Sequence, residues 1–285
     1  MLKKQFLKIA FKKNILMRWI CMENILEVIV KATRTRITET QRTFPLAELK
    51  QKAEAMNANT GFPFYKALQS KEMAFICEVK KASPSKGVIA EDFDFLDIAK
   101  QYEQAGANAI SCLTEPYYFL GHDDYLKQIA QTVSIPVLRK DFTVSEYMIY
   151  EAKVLGASAI LLICSILKEG QLEEYLELAH SLGLSALVEA RTAEEVKKAV
   201  DVGAKIIGIN NRDLESFRID MTHSQQLRNL VPDSCIFVSE SGIQTPEDVV
   251  KLKEIGTNAV LVGEVLMRAE NKAQTLKMLR GDVQN

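Results

Sequence analysis

The chain has 285 residues, 47% of them hydrophobic and 26% charged, with a formal net charge of −1. These values indicate an ordinary globular protein, with no excess of charge that would favour a nucleic acid or a membrane surface and no apolar run of the roughly 20 residues that span a bilayer. Five cysteines without a C-x-x-C pair predict buried free thiols in a reducing cytoplasm, and three histidines without ligand spacing disfavour a metal site.

The first 21 residues differ from the rest of the chain. They contain six lysines and arginines and no acid, so they carry +6 and the remainder carries −7. Lysines interrupt every apolar stretch here, which disfavours a secretory signal, whereas a basic surface helix or an organelle presequence stays open. We expect Met22 to begin the working protein, with residues 1–21 an upstream extension outside the fold.

Residues 22–73 predict helices that precede the main fold. Pro45 opens the segment P-L-A-E-L-K-Q-K-A-E-A-M and suits the first position of a helix. No Gly/Ser-rich linker follows this extension, so we predict one domain over residues 22–285, in which the helices pack against the part from residue 74 onward.

From residue 74 onward one local pattern recurs. A helical stretch ends at a glycine, and a short apolar run follows; the glycines are Gly106, Gly156, Gly183, Gly203 and Gly256. Glycine suits the position after a helix end, where φ is often positive, and the apolar runs suit strands buried on both faces. The pattern predicts strands near 74–79, 108–113, 135–139, 158–163, 184–189, 205–210, 235–239 and 258–262. It predicts helices near 94–105, 123–133, 144–155, 169–182, 192–202, 221–230, 246–255 and 264–279.

This alternation predicts an α/β fold, a closed (β/α)8 or TIM barrel with an N-terminal helical extension. Strict alternation of strand and helix favours a parallel sheet, and eight units favour closure. The alternative is an open doubly wound sheet, which would need a Gly-rich dinucleotide turn after its first strand. That turn reads K-K-A-S-P-S-K-G instead.

Polar side chains lie at the predicted carboxyl ends of the strands, where barrels carry their chemistry. The set is Glu78, Lys80, Lys140, Glu189, Asn210 and Ser241. One charge at a strand end is more often a solvated loop residue, but burying all of these costs several kcal/mol per ion unless they are paired or used, which favours function. By strict alternation, the seventh strand would turn Ser239 and Ser241 to the same inner face.

The residue types indicate an anionic ligand. Lys80, Lys140 and Arg212 supply positive charge, while Ser241-Gly242 and Gly263-Glu264 follow strands seven and eight, where barrels of this kind bind phosphate. The first loop, Ser83 to Gly87, is long enough to act as a lid over a substrate, although an ordinary surface loop fits equally well.

Six ordered motifs resemble those of indole-glycerol-phosphate synthases, from about Met22 to the C-terminus. They are K-x-A-S-P-S-K-G from Lys80, L-T-E-x-x-Y-F-x-G from Leu113, V-L-R-K-D-F from Val137, L-V-E-A from Leu187, I-G-I-N-N-R-D-L from Ile207 and V-S-E-S-G-I from Val238. The resemblance implies a carboxy-lyase of tryptophan biosynthesis that needs no cofactor. It would close the ring of 1-(2-carboxyphenylamino)-1-deoxyribulose 5-phosphate, then release CO2 and water to give indole-3-glycerol phosphate.

The resemblance also implies roles for individual residues. Lys140 would be the general acid and Glu189 the general base, and a lysine can act as an acid at neutral pH if neighbouring cations and burial lower its pKa. The remaining catalytic roles fall to Lys80, which would hold the substrate carboxylate, to Glu78, which would orient the lysines, and to Asn210 and Ser241, which would bind hydroxyls. The residues expected at the phosphate are Ser83, Arg212, Gly242, Gly263 and Glu264. Phe119 and Phe142 would wall the anthranilate ring, or simply pack.

One position departs from the family pattern, because His122 replaces a small polar residue. Two alternatives stay open: another sugar-phosphate barrel, such as phosphoribosylanthranilate isomerase, and a catalytically silent barrel that serves as a binding partner. The first would lack the S-P-S-K-G segment, and the second would have lost Lys140 or Glu189. A monomer with a small sugar-phosphate substrate is expected, and a complex with other tryptophan-pathway enzymes stays open.

Overall fold

The structure is a computed structural model that describes residues 24–168, 170–213 and 216–282. The predicted upstream extension, residues 1–21, therefore lies outside the described residues.

Among the described residues, three helices precede the first strand, as predicted for residues 22–73: α1 (Ile25–Thr43), α2 (Leu46–Glu54) and α3 (Pro63–Leu68). Pro45 is the N-cap of α2, one residue before the predicted position, because its ψ of 148° is extended instead of helical. Pro63 does occupy the first turn of α3, where its missing N–H leaves no hydrogen bond unmade.

Ten strands follow: β1 (Ala74–Val79), β2 (Ala82–Ser83), β3 (Gly87–Val88), β4 (Ala109–Leu113), β5 (Val137–Lys140), β6 (Ala159–Ile163), β7 (Ser185–Ala190), β8 (Ile206–Asn210), β9 (Ile236–Glu240) and β10 (Ala259–Val262). The helices between and after them are α4 (Phe95–Gln104), α5 (Asp123–Thr132), α6 (Glu146–Val154), α7 (Gln171–Ser181), α8 (Ala193–Asp201), α9 (Thr222–Arg228), α10 (Pro246–Glu254), α11 (Glu264–Arg268) and α12 (Lys272–Arg280).

Eight of the strands form a closed parallel barrel in the order β1-β10-β9-β8-β7-β6-β5-β4. The predicted TIM barrel is confirmed, and each predicted strand is present within two residues of its expected bounds. Two features differ from the prediction. Strands β2 and β3 pair as a short antiparallel hairpin inside the first loop. The last predicted helix is divided into α11 and α12, because Asn271 accepts a hydrogen bond from the backbone of Gln274 and starts a new helix.

The inside of the barrel is apolar over most of its length. Small and branched residues such as Ala74, Ile76 and Leu187 fill it and are almost fully buried. Helix α3 packs at the amino end of the strands, where the backbone N–H of Tyr65 donates to Ser185, the first residue of β7. The opposite end is left to polar side chains, described below.

Four cysteines lie in the outer layer of the core, between the barrel and its helices: Cys77, Cys112, Cys164 and Cys235. All four are free and buried, as predicted, while the fifth, Cys21, is outside the described residues. Within the described ranges, no helix has both the length and the apolarity that crossing a membrane requires.

The five repeated glycines follow helix ends and have φ between 74° and 88°. Gly183 is the most constrained of them, because a Cβ there would overlap the backbone carbonyl of Ala58 in the N-terminal extension. Gly203 has the same type of backbone, but no described atom lies within 4 Å of the place where its Cβ would be.

We expect Gly183→Ala to lower the free energy of unfolding by about 2–5 kcal/mol, from left-handed strain and overpacking together. Gly203→Ala is the matched control and should lose only the strain, about 1–2 kcal/mol. Urea unfolding of both variants measures the difference, and equal losses would show that the extension does not pack against Gly183 as described.

Candidate active site

A cavity of about 670 Å³ lies at the carboxyl ends of the barrel strands. All thirteen residues predicted for the site line it: Glu78, Lys80, Ser83, Phe119, Lys140, Phe142, Glu189, Asn210, Arg212, Ser241, Gly242, Gly263 and Glu264. This volume suits a small organic ligand.

Lys140 lies at the centre of the charged part of the cavity. Its Nζ donates to Oε2 of Glu189 and to Oε2 of Glu240, each at 3.1 Å. Asn210 donates from Nδ2 to the other oxygen of Glu189 at 3.2 Å, which fixes that carboxylate. Strands β5, β7, β8 and β9 therefore each supply one member of a hydrogen-bonded cluster.

The charge around Lys140 differs from the expectation that cations lower its pKa. Burial does lower the pKa of Lys140, but the carboxylates of Glu189 and Glu240 outweigh burial, and the net pKa is raised. The lysine is thus an ammonium group held by carboxylates. The predicted lowering of the Lys140 pKa is therefore wrong.

Glu240 is a buried member of this cluster that the sequence analysis missed. Burial raises its pKa to about 7, with the Lys140 ammonium opposing and Glu189 reinforcing the shift. Its Oε1 has no hydrogen-bond partner among the described residues. Gly208 on β8 makes room for it, because a Cβ at that position would overlap Oε1 of Glu240.

Strict alternation along β9 predicted the wrong face for Ser239 and Glu240. Ser239 points out of the barrel, where its Oγ contacts Ser224 and Asn211, so Glu240 points inward. Ser241 has a φ of 68°, and a residue in this left-handed region interrupts the alternation of an extended strand. Counting faces back from Ser241 therefore gives the wrong side.

A second ion pair lies at the end of β1, where Nζ of Lys80 donates a hydrogen bond to Oε2 of Glu78. Both side chains are largely buried. Gly263 leaves room for this pair, since a Cβ there would overlap Oε2 of Glu78. The glycine predicted for phosphate binding thus also accommodates a carboxylate.

The loop after β9 has a strained backbone. Ser241 and Gly242 both have positive φ, 68° and 91°. Asn211, which is buried and was not predicted, donates from Nδ2 to the carbonyl of Ser241 at 3.1 Å and accepts from Ser224. This amide holds two consecutive left-handed residues at the cavity wall.

Glu264 carries the opposite charge to that expected at a phosphate site. Three cations surround it: Nε of Arg268 at 3.2 Å, Nζ of Lys86 at 3.7 Å and Nη2 of Arg212 at 3.8 Å. The Glu264 carboxylate therefore lies among the positive charges that an anionic ligand would need for binding.

The apolar part of the cavity has an aromatic wall. The rings of Phe119 and Phe142 lie 6.1 Å apart at 41°. Glu115 holds the first by accepting hydrogen bonds from three consecutive backbone N–H groups, the last that of Phe119. Helix α1 adds Ile25, Leu26 and Ile29, which periodicity alone could not place at the site.

The hairpin β2–β3 lies at the mouth of the cavity, where Ser83, Pro84 and Ser85 form part of the lining. This position suits the predicted lid, and its closure stays a prediction.

His122, the departure from the family pattern, caps α5 by accepting the backbone N–H of Asp124 on Nδ1 at 3.1 Å. The ring nitrogen thus does the work of a small polar cap.

The sequence profile described as indole-3-glycerol phosphate synthase matches residues 26–279. Indole-3-glycerol phosphate synthase of Ruminiclostridium cellulolyticum is 51% identical over 257 residues, 90% of this chain and 99% of that protein. The enzyme of the same name from Lacticaseibacillus casei is 55% identical over 252 residues, 88% of this chain and 97% of that protein.

Solved structures at lower identity show the fold alone. Thiamine phosphate pyrophosphorylase from Pyrococcus furiosus is 15% identical with a TM-score of 0.57 and covers 76% of this chain and 96% of its own. A mutant tryptophan synthase α-subunit from the same organism is 18% identical, also with a TM-score of 0.57, and covers 73% of this chain and 98% of its own.

Glu240 should make stability depend on pH. A carboxyl group whose folded pKa, about 7, exceeds its unfolded value binds protons more tightly when folded, so its contribution to stability falls as pH rises from about 4.5 to 7. We expect Glu240→Gln to gain on the order of 2 kcal/mol relative to the parent between pH 5 and pH 8. Urea unfolding at both pH values measures this, with the exposed Glu270→Gln as control. A pH dependence identical in the parent and Glu240→Gln would contradict the assignment.

Proposed function

The chain belongs to the indole-3-glycerol phosphate synthase family, and from this premise we propose how its residues carry out the reaction. Its activity is that of a carboxy-lyase that forms indole-3-glycerol phosphate from a sugar-phosphate substrate in tryptophan biosynthesis. Because the chain belongs to this family, the alternative that it is a phosphoribosylanthranilate isomerase is excluded. The silent-barrel alternative has no support, since Lys140 and Glu189 both line the cavity.

Lys140 acts as the general acid of ring closure. The ring carbon that bears the carboxylate attacks the ribulose carbonyl carbon, and Lys140 gives its proton to the carbonyl oxygen as that oxygen becomes an alkoxide. The carboxylates raise the pKa of Lys140, and the strongly basic alkoxide that forms during attack is the group that can take its proton. The observation that supports this role is the burial of Lys140 at the centre of the cavity, within 3.1 Å of Glu189.

Loss of CO2 restores the aromatic ring, and dehydration then completes the indole. Glu189 accepts the proton lost from the methylene carbon that joins the nitrogen to the former carbonyl carbon. The hydroxyl on that former carbonyl carbon then leaves with a proton as water. Asn210 keeps the Glu189 carboxylate oriented at 3.2 Å. Lys80 holds the substrate carboxylate and shares in protonating the departing hydroxyl, with Glu78 positioning its ammonium.

Different segments hold the two ends of the substrate. Phe119 and Phe142 flank the anthranilate ring, and Ser241 binds a hydroxyl of the sugar chain. The phosphate lies by Arg212 and the backbone of Gly242 and Gly263, under the hairpin that carries Ser83.

We expect Lys140→Ala and Glu189→Gln to fold and to lose about 10²- to 10⁴-fold in indole formation, as positioned acid–base groups contribute that much. Indole fluorescence with the ribulose phosphate substrate measures the rate, and circular dichroism checks the fold. Lys251→Ala and Glu254→Gln, both exposed on α10, are the matched controls. Turnover near that of the parent in either site variant would refute the assignment.

Glu264 should weaken substrate binding through charge repulsion, because it lies among the cations that face the phosphate. We expect Glu264→Gln to lower KM, and the inhibition constant of inorganic phosphate, by about three- to tenfold, the size suited to a partly screened charge. Steady-state kinetics with phosphate as competitor measures both. A rise in either constant would mean that Glu264 instead assists binding.

A further inference from the structure

A largely buried arginine of helix α1 contacts the ends of two barrel strands. Arg36 donates from Nη2 to Oδ2 of Asp141 at 2.9 Å and from Nη1 to the carbonyl of Thr114 at 3.4 Å. Its side chain is only 14% exposed, and that of Asp141 is fully buried. Thr114 and Asp141 directly follow β4 and β5, so a single guanidinium bridges the ends of two neighbouring strands.

Asp141 transmits this contact to two residues of the site. It directly follows Lys140 in sequence, and its Oδ1 accepts the backbone N–H of Phe142 at 2.8 Å. Its Oδ2 also accepts the hydroxyl of Thr114 at 2.7 Å. The carboxylate thus holds the backbone of Phe142 just after its own strand and the side chain of Thr114 at the end of β4.

The carbonyl of Lys140 is held from the other strand. It accepts the backbone N–H of Thr114 at 3.2 Å. The residue after Thr114 is Glu115, the buried carboxylate that holds Phe119 in the aromatic wall. The Arg36 bridge therefore supports both the catalytic lysine and the two rings.

Arg36 is the cation that neutralises Asp141 most directly. Burial raises the pKa of Asp141, but Arg36 and then Arg139 outweigh burial, and the net pKa lies below its usual range. Arg139 is 3.9 Å from Asp141 and donates at 2.6–2.7 Å to Glu151 and Asp123 instead. Without Arg36, a buried carboxylate would lose its hydrogen-bonded counter-charge.

We propose that Arg36 is a positioning residue of the reaction: by bridging Asp141 and Thr114, it fixes the strand ends that carry Lys140 and Phe142 and pins α1 over the cavity. The same helix lines the cavity with Ile25 and Ile29, so loosening it also opens the apolar wall. This inference rests on the proposed role of Lys140.

The test compares Arg36→Met and Arg36→Lys with the parent in the indole fluorescence assay. We expect Arg36→Met to lose about ten- to a hundredfold in kcat, the scale of an error of about 1 Å in placement. Its acidic limb of kcat against pH should move to higher pH, because Asp141 protonates more readily without its partner. Arg36→Lys should recover most of the rate, since it keeps the charge.

Arg34→Met is the matched control, because Arg34 lies on the same helix, is exposed and donates to the carbonyl of Val144. Its kcat and pH profile should equal those of the parent. If Arg36→Met lowers only the melting temperature and keeps the parental kcat and pH profile, the role of Arg36 is structural and the proposal fails.

A double-variant cycle covers the case in which Arg36→Met does not fold. Asp141→Asn keeps the shape of the side chain and should reproduce the loss in kcat, and adding Arg36→Gln, which removes the guanidinium from the same pair, should reduce kcat no further. Additive losses would overturn the proposal. If Lys140→Ala keeps its turnover, the proposed function fails first; if Lys140→Ala is inactive and the Arg36 and Asp141 variants are not impaired, only the positioning role fails.

Discussion

The ammonium of Lys140, held 3.1 Å from two carboxylates, is the interaction around which the active site is built. Removing an ion from water costs several kcal/mol, and only close pairing with further hydrogen bonds offsets that cost. The barrel meets this requirement by placing Lys140, Glu189 and Glu240 on rigid strands, where their relative positions are set by backbone hydrogen bonds. Gly208 leaves the space that Glu240 occupies, and Gly263 does the same for Glu78 at the neighbouring pair.

Much of the barrel could be predicted from the sequence because its signals are local. The glycines after helix ends and the apolar runs depend only on φ and on burial, so strands such as β1 and β8 begin and end within one residue of their expected bounds. The thirteen site residues converge because parallel strands in a barrel end on one face. The site could be placed from the topology before any contact was known.

The remaining residues depend on geometry that no local pattern carries. Glu240 was missed because the left-handed Ser241 breaks the alternation from which faces were counted. The expectation that cations surround Lys140 failed for a similar reason, since it ignored Glu240. Arg36 lies 78 residues from Thr114 and 105 residues from Asp141 in sequence, and only tertiary packing brings its helix, with Ile29, to the cavity.

The buried cysteines have a practical consequence for following the hairpin in solution. Burial raises the pKa of Cys164 to about 12 and raises those of Cys77 and Cys112 as well, so these thiols stay protonated and out of reach of alkylating reagents. A cysteine introduced in place of Ser85 would then react far faster with a maleimide dye than the native thiols within the described ranges. The native core could be left intact while the label tests the predicted closure of the hairpin over the cavity.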